Sequence, residues 1–190
     1  MGARGVGRWG AVALGLLAAA AIAGCGSGGS GSTGATGTPV TTMPGVTTAR
    51  TAVTVYFADS EVRRLVSERH EIPVSGSRLR AALDELAQGP MAAGLLPALP
   101  QGTRILSATS AGGTARVDLS QEFAEGYPSC GSAAEVAMLA PLVYTATAVP
   151  GVHAVLLTVA GKMPDLPGSQ YDLSAPLTRR DFPDLGATAP

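Results

Sequence analysis

The residues of this chain that could do chemistry are few, and its cysteines and histidines come first. The cysteines are Cys25 and Cys130, and the histidines are His70 and His153. Cys130 lies just before a predicted helix, and a helix N-terminus can lower the pKa of a thiol. Such a thiol could attack a substrate if the fold brought a histidine to it as a base. That base would be His70 or His153, but a partly exposed free thiol or an intermolecular disulfide is the simpler interpretation, so we expect no catalytic role for Cys130.

Neither a metal site nor a carboxylate pair is indicated. A zinc site built from the two histidines needs a third ligand, and none follows at the usual short spacing. Asp118 with Asp59 or Glu122 could form the acid pair of an enzyme that cleaves peptidoglycan. Asp118 and Ser120 more simply cap the turn after a strand through hydrogen bonds to nearby backbone. We therefore predict no catalytic residue, no metal and no cofactor.

Cys25 lies between an apolar segment and a glycine-rich one. Residues 1–24 contain Arg4, Arg8 and no acid, then an apolar run from Trp9 to Ala23, which is the layout of a secretory signal peptide. The run is shorter than the roughly 20 apolar residues of a membrane span. Residues 22–25, Ile-Ala-Gly-Cys, resemble the bacterial lipobox, in which a signal peptidase cuts before a cysteine that carries diacylglycerol. This resemblance makes Cys25 a lipidation site and the first mature residue.

A flexible linker is predicted over residues 25–49, where no charged residue occurs. Its glycine, serine and threonine cannot bury enough apolar surface to offset the entropy of ordering. Such a tether would reach about 25 to 30 Å, at roughly 5 to 6 Å times the square root of its length. Its threonines, interleaved with Pro39 and Pro44, fit either a plain spacer or an O-glycosylated tract.

The charge of the chain excludes one class of partner. Thirteen basic and 14 acidic residues give a formal net charge of −1. A protein that binds nucleic acid through its phosphates needs a basic patch or stripe, and the sequence has none. We expect a membrane contact through the lipid anchor and no nucleic-acid partner.

Residues 50–186 have the length of one domain. Alternating apolar residues predict a strand at 51–59, and 65–72 forms a weaker strand that ends, or lies at an edge, where Pro73 follows. Residues 103–110 and 114–119 flank Gly112-Gly113 as a hairpin. Residues 153–160 are apolar on both faces, which predicts an interior strand.

Two helices are predicted between these strands. Ser77 is the N-cap of a helix over 78–88, which presents Leu79, Leu83 and Leu86 to the core and has a polar opposite face. Ser132 and Glu135 have the spacing of a capping box and begin a second helix that runs to about residue 149. Pro141 lies inside this helix and predicts a bend near residue 137.

Seven short strings resemble one family, the sporulation and spore germination domain called GerMN. They are VTVYF (53–57), LDELAQGP (83–90), LPQGT (99–103), ARVDLS (115–120) followed by Phe123, LVYT (142–145), PGV (150–152), and PLTR (176–179) with Asp181-Phe182. The resemblance implies an α+β fold of two helices on a small mixed or antiparallel sheet, similar to the ring-building modules of envelope assembly complexes. It implies no catalytic residues, and Pro141 and Cys130 depart from its pattern.

The sequence thus predicts a non-catalytic GerMN lipoprotein anchored at Cys25 on the extracytoplasmic face of the cell membrane, where it binds an envelope protein or a wall polymer. The alternatives are a peptidoglycan-modifying enzyme and a lipoprotein that captures a small ligand. Because Cys25 would be lipidated, Cys130 is either a free thiol or a partner in an intermolecular disulfide.

Overall fold

Two three-stranded sheets and three α-helices make up the fold in the computed structural model, which describes residues 49–127 and 132–187, apart from the side chain of Ser132. The predicted signal peptide and all but the last residue of the predicted linker lie outside these residues. In chain order the elements are β1 (Arg50–Ala58), β2 (Arg64–Pro73), α1 (Arg78–Gln88), β3 (Ile105–Ala111), β4 (Thr114–Leu119), α2 (Glu122–Glu125), α3 (Ser132–Thr147), β5 (Ala154–Val159), a 3-10 turn (Arg179–Asp181) and β6 (Gly186–Ala187).

The first sheet has the order β1-β2-β6. β1 and β2 are antiparallel with Val53 opposite His70, and the short β6 runs parallel to β2. Val53, Val55 and Phe57 are buried, as their alternation predicts, and Tyr56 and Ala58 are buried as well. The end of β1 is therefore covered on both faces.

The second sheet has the order β3-β4-β5, with β3 antiparallel and β5 parallel to β4. The hairpin prediction is confirmed, because Gly112 and Gly113 form its turn with φ of 56° and 83°. The prediction that β5 is an interior strand is wrong. β5 lies at the end of the order, and its residue Val155 forms a single antiparallel bridge to Leu177. Its apolar residues are covered by α3 and by this later segment instead of by a further strand.

The helices pack against both sheets. α1 contacts β1 and β3, and α3 contacts β1 and β5. Ser77 is the N-cap of α1, since its hydroxyl accepts from Arg80 N at 3.3 Å. α3 contains Pro141, and its residues 137–140 and 142–144 are all buried, which is a wider apolar surface than the predicted stripe.

The predicted α+β class is confirmed, with the sheet divided in two and one short helix, α2, added. α2 has four residues and buries Phe123 in the core. The rest of the core comes from both sheets, α1 and α3, and it includes Leu166, Leu173, Leu177 and Phe182 from the segment after β5.

Candidate functional site

A buried histidine on the first sheet lies between two glutamates. His70 on β2 is 5% exposed, and each of its ring nitrogens meets a carboxylate. Nδ1 lies 2.8 Å from Glu85 Oε2 on α1, and Nε2 lies 3.1 Å from Glu68 Oε2 on β2. Both nitrogens are therefore occupied by structural partners. Glu85 belongs to the face of α1 that the sequence predicts to be polar and exposed, and the prediction is wrong for this residue because its carboxylate turns inward to His70.

Glu68 joins this cluster to the loop that follows α1. Its Oε1 accepts from Ala92 N at 2.8 Å, and its Oε2 accepts from Met91 N at 2.9 Å. Burial by itself raises the pKa of Glu68, but the hydrogen bonds from these two amides and from His70 outweigh it and hold the pKa below its ordinary value. The carboxylate acts as an anchor for the loop backbone.

The candidates for an acid pair, Asp118 with Asp59 or Glu122, each bind the backbone or lie beside a cation. Asp118 Oδ1 on β4 accepts from Thr158 Oγ1 at 2.7 Å and from Gly161 N at 2.8 Å, so it fixes the turn after β5. The prediction that Asp118 caps the turn after its own strand through nearby backbone is wrong, because its partners lie 40 and 43 residues away. Ser120 Oγ likewise accepts from Arg104 N at 2.9 Å.

Asp59 and Glu122 are held ionised. Asp59 Oδ1 accepts from Arg63 N at 2.9 Å, and this hydrogen bond is the main cause that lowers the pKa of Asp59. A hydrogen bond from the Ser120 side chain is the main cause that lowers the pKa of Glu122, with Arg104 nearby. A general acid of a glycoside hydrolase needs a raised pKa, so neither residue is suited to that task.

Glu135 occupies a different place from the one its capping-box spacing predicts. Its buried carboxylate accepts from the hydroxyls of Tyr127 and Ser169 and from Gln170 N at 3.1 Å. Ser169 and Gln170 belong to the segment after β5, which thus contacts the first turn of α3, whereas Tyr127 follows α2. Burial and the hydrogen bond to Glu135 raise the pKa of Tyr127 strongly, so its hydroxyl stays protonated as a donor.

Cys25 and Cys130 both lie outside the described residues. The lipidation of Cys25 and the free thiol of Cys130 therefore stay predictions. His153, the other candidate base, is exposed just before β5, and its backbone N–H donates to Gly113 O at 2.7 Å. It is a surface residue, whereas His70 is buried in the cluster with Glu68 and Glu85.

A cleft of about 390 Å³ opens at the C-terminal end of α3, lined by Thr147, Val152, His153, Thr178, Arg179 and Arg180. Arg179 Nε donates to Thr147 Oγ1 at 2.8 Å, and one of its terminal nitrogens donates to Tyr144 O at 3.1 Å. The guanidinium also lies 4.7 Å from the centre of the Tyr144 ring. Arg179 thus satisfies carbonyl and hydroxyl groups in the last turn of α3, where a cation is favoured by the helix dipole.

Two further findings concern the described part of the chain. No group of three or more His, Cys, Asp or Glu residues in residues 49–127 and 132–187 could hold a metal ion. Within the same ranges, no helix has both the length and the apolar character needed to cross a membrane.

Comparison with protein families identifies the chain through its central part. The model of the family described as "Sporulation and spore germination" matches residues 54–165, more than half of the chain. The chain belongs to the sporulation and spore germination family. The predicted resemblance to GerMN domains is thereby confirmed, and the fold just described is a GerMN fold.

Solved structures agree with this membership. The tandem GerMN domains of the sporulation protein GerM from Bacillus subtilis are 27% identical, with a TM-score of 0.58 over 78% of this chain and 51% of that one. The first GerMN domain of the same protein is 24% identical, with a TM-score of 0.56 over 69% of this chain and 99% of that one, and it shows the shared fold. This chain spans about half the length of the tandem structure. Comparison with curated proteins gives no significant match.

The GerMN strings found in the sequence meet at structurally important points. LVYT (142–145) supplies Thr145, whose Oγ1 accepts from Tyr56 N at 2.9 Å and so caps a strand amide from the helix. PLTR (176–179) supplies Arg179, which closes the end of the same helix. Sequence reasoning did not foresee either contact, because each joins residues more than 30 positions apart.

Proposed function

We propose that this GerMN protein is a lipid-anchored extracytoplasmic lipoprotein whose domain binds another envelope component without altering it chemically. The observation that carries the proposal is the use made of the reactive side chains. Both nitrogens of His70 are taken by Glu68 and Glu85, and the carboxylates of Asp59 and Asp118 bind backbone amides. A general base or acid must be free to reach a substrate proton, and these groups are already bonded within the fold.

The anchor is supported by the lipobox and by the uncharged linker that follows it. A single acyl chain holds a protein only marginally at a membrane, whereas two or more anchor it stably. The diacylglycerol at Cys25 would therefore keep the domain at the membrane, with the linker setting its reach.

The anchor is tested by Cys25→Ala in the full chain expressed in its own type of host. The wild type should incorporate radiolabelled palmitate and enter the detergent phase, because covalent lipid at Cys25 would attach it to the membrane. The variant should take up no label and stay uncleaved or leave the detergent phase. Unchanged labelling and partitioning of a cleaved Cys25→Ala chain would refute lipidation at this residue, and Cys130→Ala serves as the control that removes the other thiol.

The non-catalytic role is tested with a variant that the structure makes informative. His70 is unsuitable because its removal would disrupt a buried cluster. Cys130→Ser with His153→Gln removes the remaining thiol and the exposed imidazole. Glutamine cannot act as a base but keeps a hydrogen-bonding side chain at position 153, where the imidazole has no hydrogen-bond partner among the described residues. The double variant should support the cellular role of the wild type. Loss of that role at normal protein level and membrane location would favour the peptidoglycan-modifying alternative.

A further inference from the structure

The cleft at the end of α3 has a one-sided charge. His153, Arg179 and Arg180 line it, and no acidic residue does. The nearest carboxylate in sequence, Asp181, is exposed but does not line the cleft, and its Oδ2 accepts from Thr178 N at 2.6 Å and from Thr178 Oγ1 at 2.9 Å. This capping box fixes the backbone that presents both arginines.

The two arginines differ in the contacts that their side chains form. The guanidinium of Arg179 donates to Thr147 Oγ1 and Tyr144 O and lies over the Tyr144 ring, so three contacts hold it at the end of α3. Arg180 is exposed, and in the described part of the chain its side chain forms no ion pair and no hydrogen bond. Arg179, whose position is held by its contacts, thus lies beside Arg180, which has no ion-pair partner. The cleft therefore carries positive charge that an anionic ligand could neutralise.

His153 completes this wall because Gly113 makes room for it. A Cβ built on Gly113 would lie 3.0 Å from His153 Cδ2, so the imidazole rests against the backbone of the hairpin turn. The ring nitrogens have no hydrogen-bond partner among the described residues and add polar groups to the cleft.

We propose that this cleft binds an oxyanion, a carboxylate or a phosphate, carried by an anionic wall glycan. The planar donors of arginine match both oxyanions. The volume of the cleft, about 390 Å³, suits a small ligand group. This inference rests on the proposed binding function and names the chemistry of the ligand.

The test uses the full chain, purified in mild detergent, and three fluorescent glycans in an anisotropy titration. Muropeptides carry carboxylates, glycerol-phosphate oligomers carry phosphates, and chitotetraose is neutral. Arg180→Gln removes the unpaired charge, Arg180→Lys restores a charge, and Arg69→Gln is the matched control, since Arg69 is an exposed arginine in the other sheet. Thermal unfolding of the two Arg180 variants should match the wild type, because Arg180 has no side-chain partner to lose, and Arg69→Gln should change it little, because its pair with Glu71 is exposed.

At least one of the two anionic ligands should bind, and chitotetraose should not. Which of the two binds shows whether the cleft accepts a carboxylate or a phosphate. Arg180→Gln should weaken binding about tenfold, Arg180→Lys should recover most of it, and Arg69→Gln should leave it unchanged. Equal binding of the neutral glycan, no binding of either anionic one, or full affinity in Arg180→Gln would overturn the inference. If neither anionic ligand binds but crosslinking still recovers an envelope component, the inference fails while the proposed binding function stands.

Discussion

Glu68→Gln is the change that most sharply tests the buried cluster. The side chain of Glu68 is 8% exposed, and its two oxygens accept from Ala92 N, Met91 N and His70 Nε2 at 2.8, 2.9 and 3.1 Å. Glutamine has the same shape but replaces one oxygen with an NH₂ donor. Whichever way the amide points, this donor faces a backbone N–H, so one charge-assisted hydrogen bond is lost and a buried donor is left unsatisfied.

The magnitude follows from that count. A hydrogen bond to a charged group contributes about 1.5 to 3 kcal/mol, and an unsatisfied buried donor costs a similar amount. Some relaxation of the loop at residues 91–92 reduces the sum, because this loop is exposed. We expect Glu68→Gln to lower the free energy of unfolding by about 2 kcal/mol at neutral pH.

The effect should depend on pH with a definite sign. The pKa of Glu68 in the folded protein lies below its ordinary value of 4.5, because the hydrogen bonds to its carboxylate outweigh its burial. The ionised carboxylate therefore stabilises the fold above about pH 4.5, and this stability is lost as the pH falls through the folded-state pKa. The difference between wild type and variant should narrow in acid.

Urea unfolding of the full chain, followed by circular dichroism at about pH 7 and about pH 3.5, measures both effects. Glu71→Gln is the matched control, because Glu71 lies on the same strand with a side chain that is 53% exposed. The control should change stability by less than about 0.5 kcal/mol. A Glu68→Gln loss below about 0.5 kcal/mol, or a loss that is the same at both pH values, would refute the role assigned to the carboxylate.

Two further predictions concern stability and use the same unfolding assay. Thr103 is buried, and its Oγ1 is the one buried side-chain polar atom in the described residues that has no hydrogen-bond partner. Thr103→Val should therefore leave the free energy of unfolding unchanged or raise it by about 1 kcal/mol. A clear loss of stability would mean that the hydroxyl does have a partner. Gly113→Ala should lower the free energy of unfolding by about 1 kcal/mol more than Gly76→Ala does. Both glycines have positive φ, but only at Gly113 would the new Cβ meet a close neighbour, His153. Equal losses of stability would contradict this packing.

The strands and α1 could be predicted because their signals are local. Alternation places Val53, Val55 and Phe57 in the core, and Ser77 caps α1 through its own hydroxyl. The Gly112-Gly113 turn is equally local, because positive φ is a property of the two residues themselves. These elements follow from neighbouring residues, and the structure agrees with them.

The features that the sequence did not predict depend on contacts between distant residues. The apolar faces of β5 predict burial, but the sequence does not say that α3 and Leu177 cover them in place of another strand. α2 is too short to show a helical period. Glu135 has a capping-box spacing, yet donors from residues 169–170 reach its carboxylate. In each case the partner comes from a distant part of the chain.

The buried cluster could have been found from a pattern that the sequence does contain. Glu68 and His70 alternate with Arg69 and Glu71 on β2 and share a face with Ile72, which the structure buries. Two titratable residues on the same face as a core isoleucine predict a buried polar pair. Glu85, the third member, could not be assigned, because only the packing of α1 on β2 brings it to the imidazole.

The central claim, that the domain binds an envelope component and leaves it chemically unchanged, is tested most directly by in-cell crosslinking of the full chain with mass spectrometry of what is recovered. We expect the wild type and the Cys130→Ser and His153→Gln double variant to be crosslinked to the same component. The mass of this component should equal the mass of the same material taken from cells that lack the protein. New cleavage ends or mass changes that appear with the wild type and disappear with the double variant would contradict it.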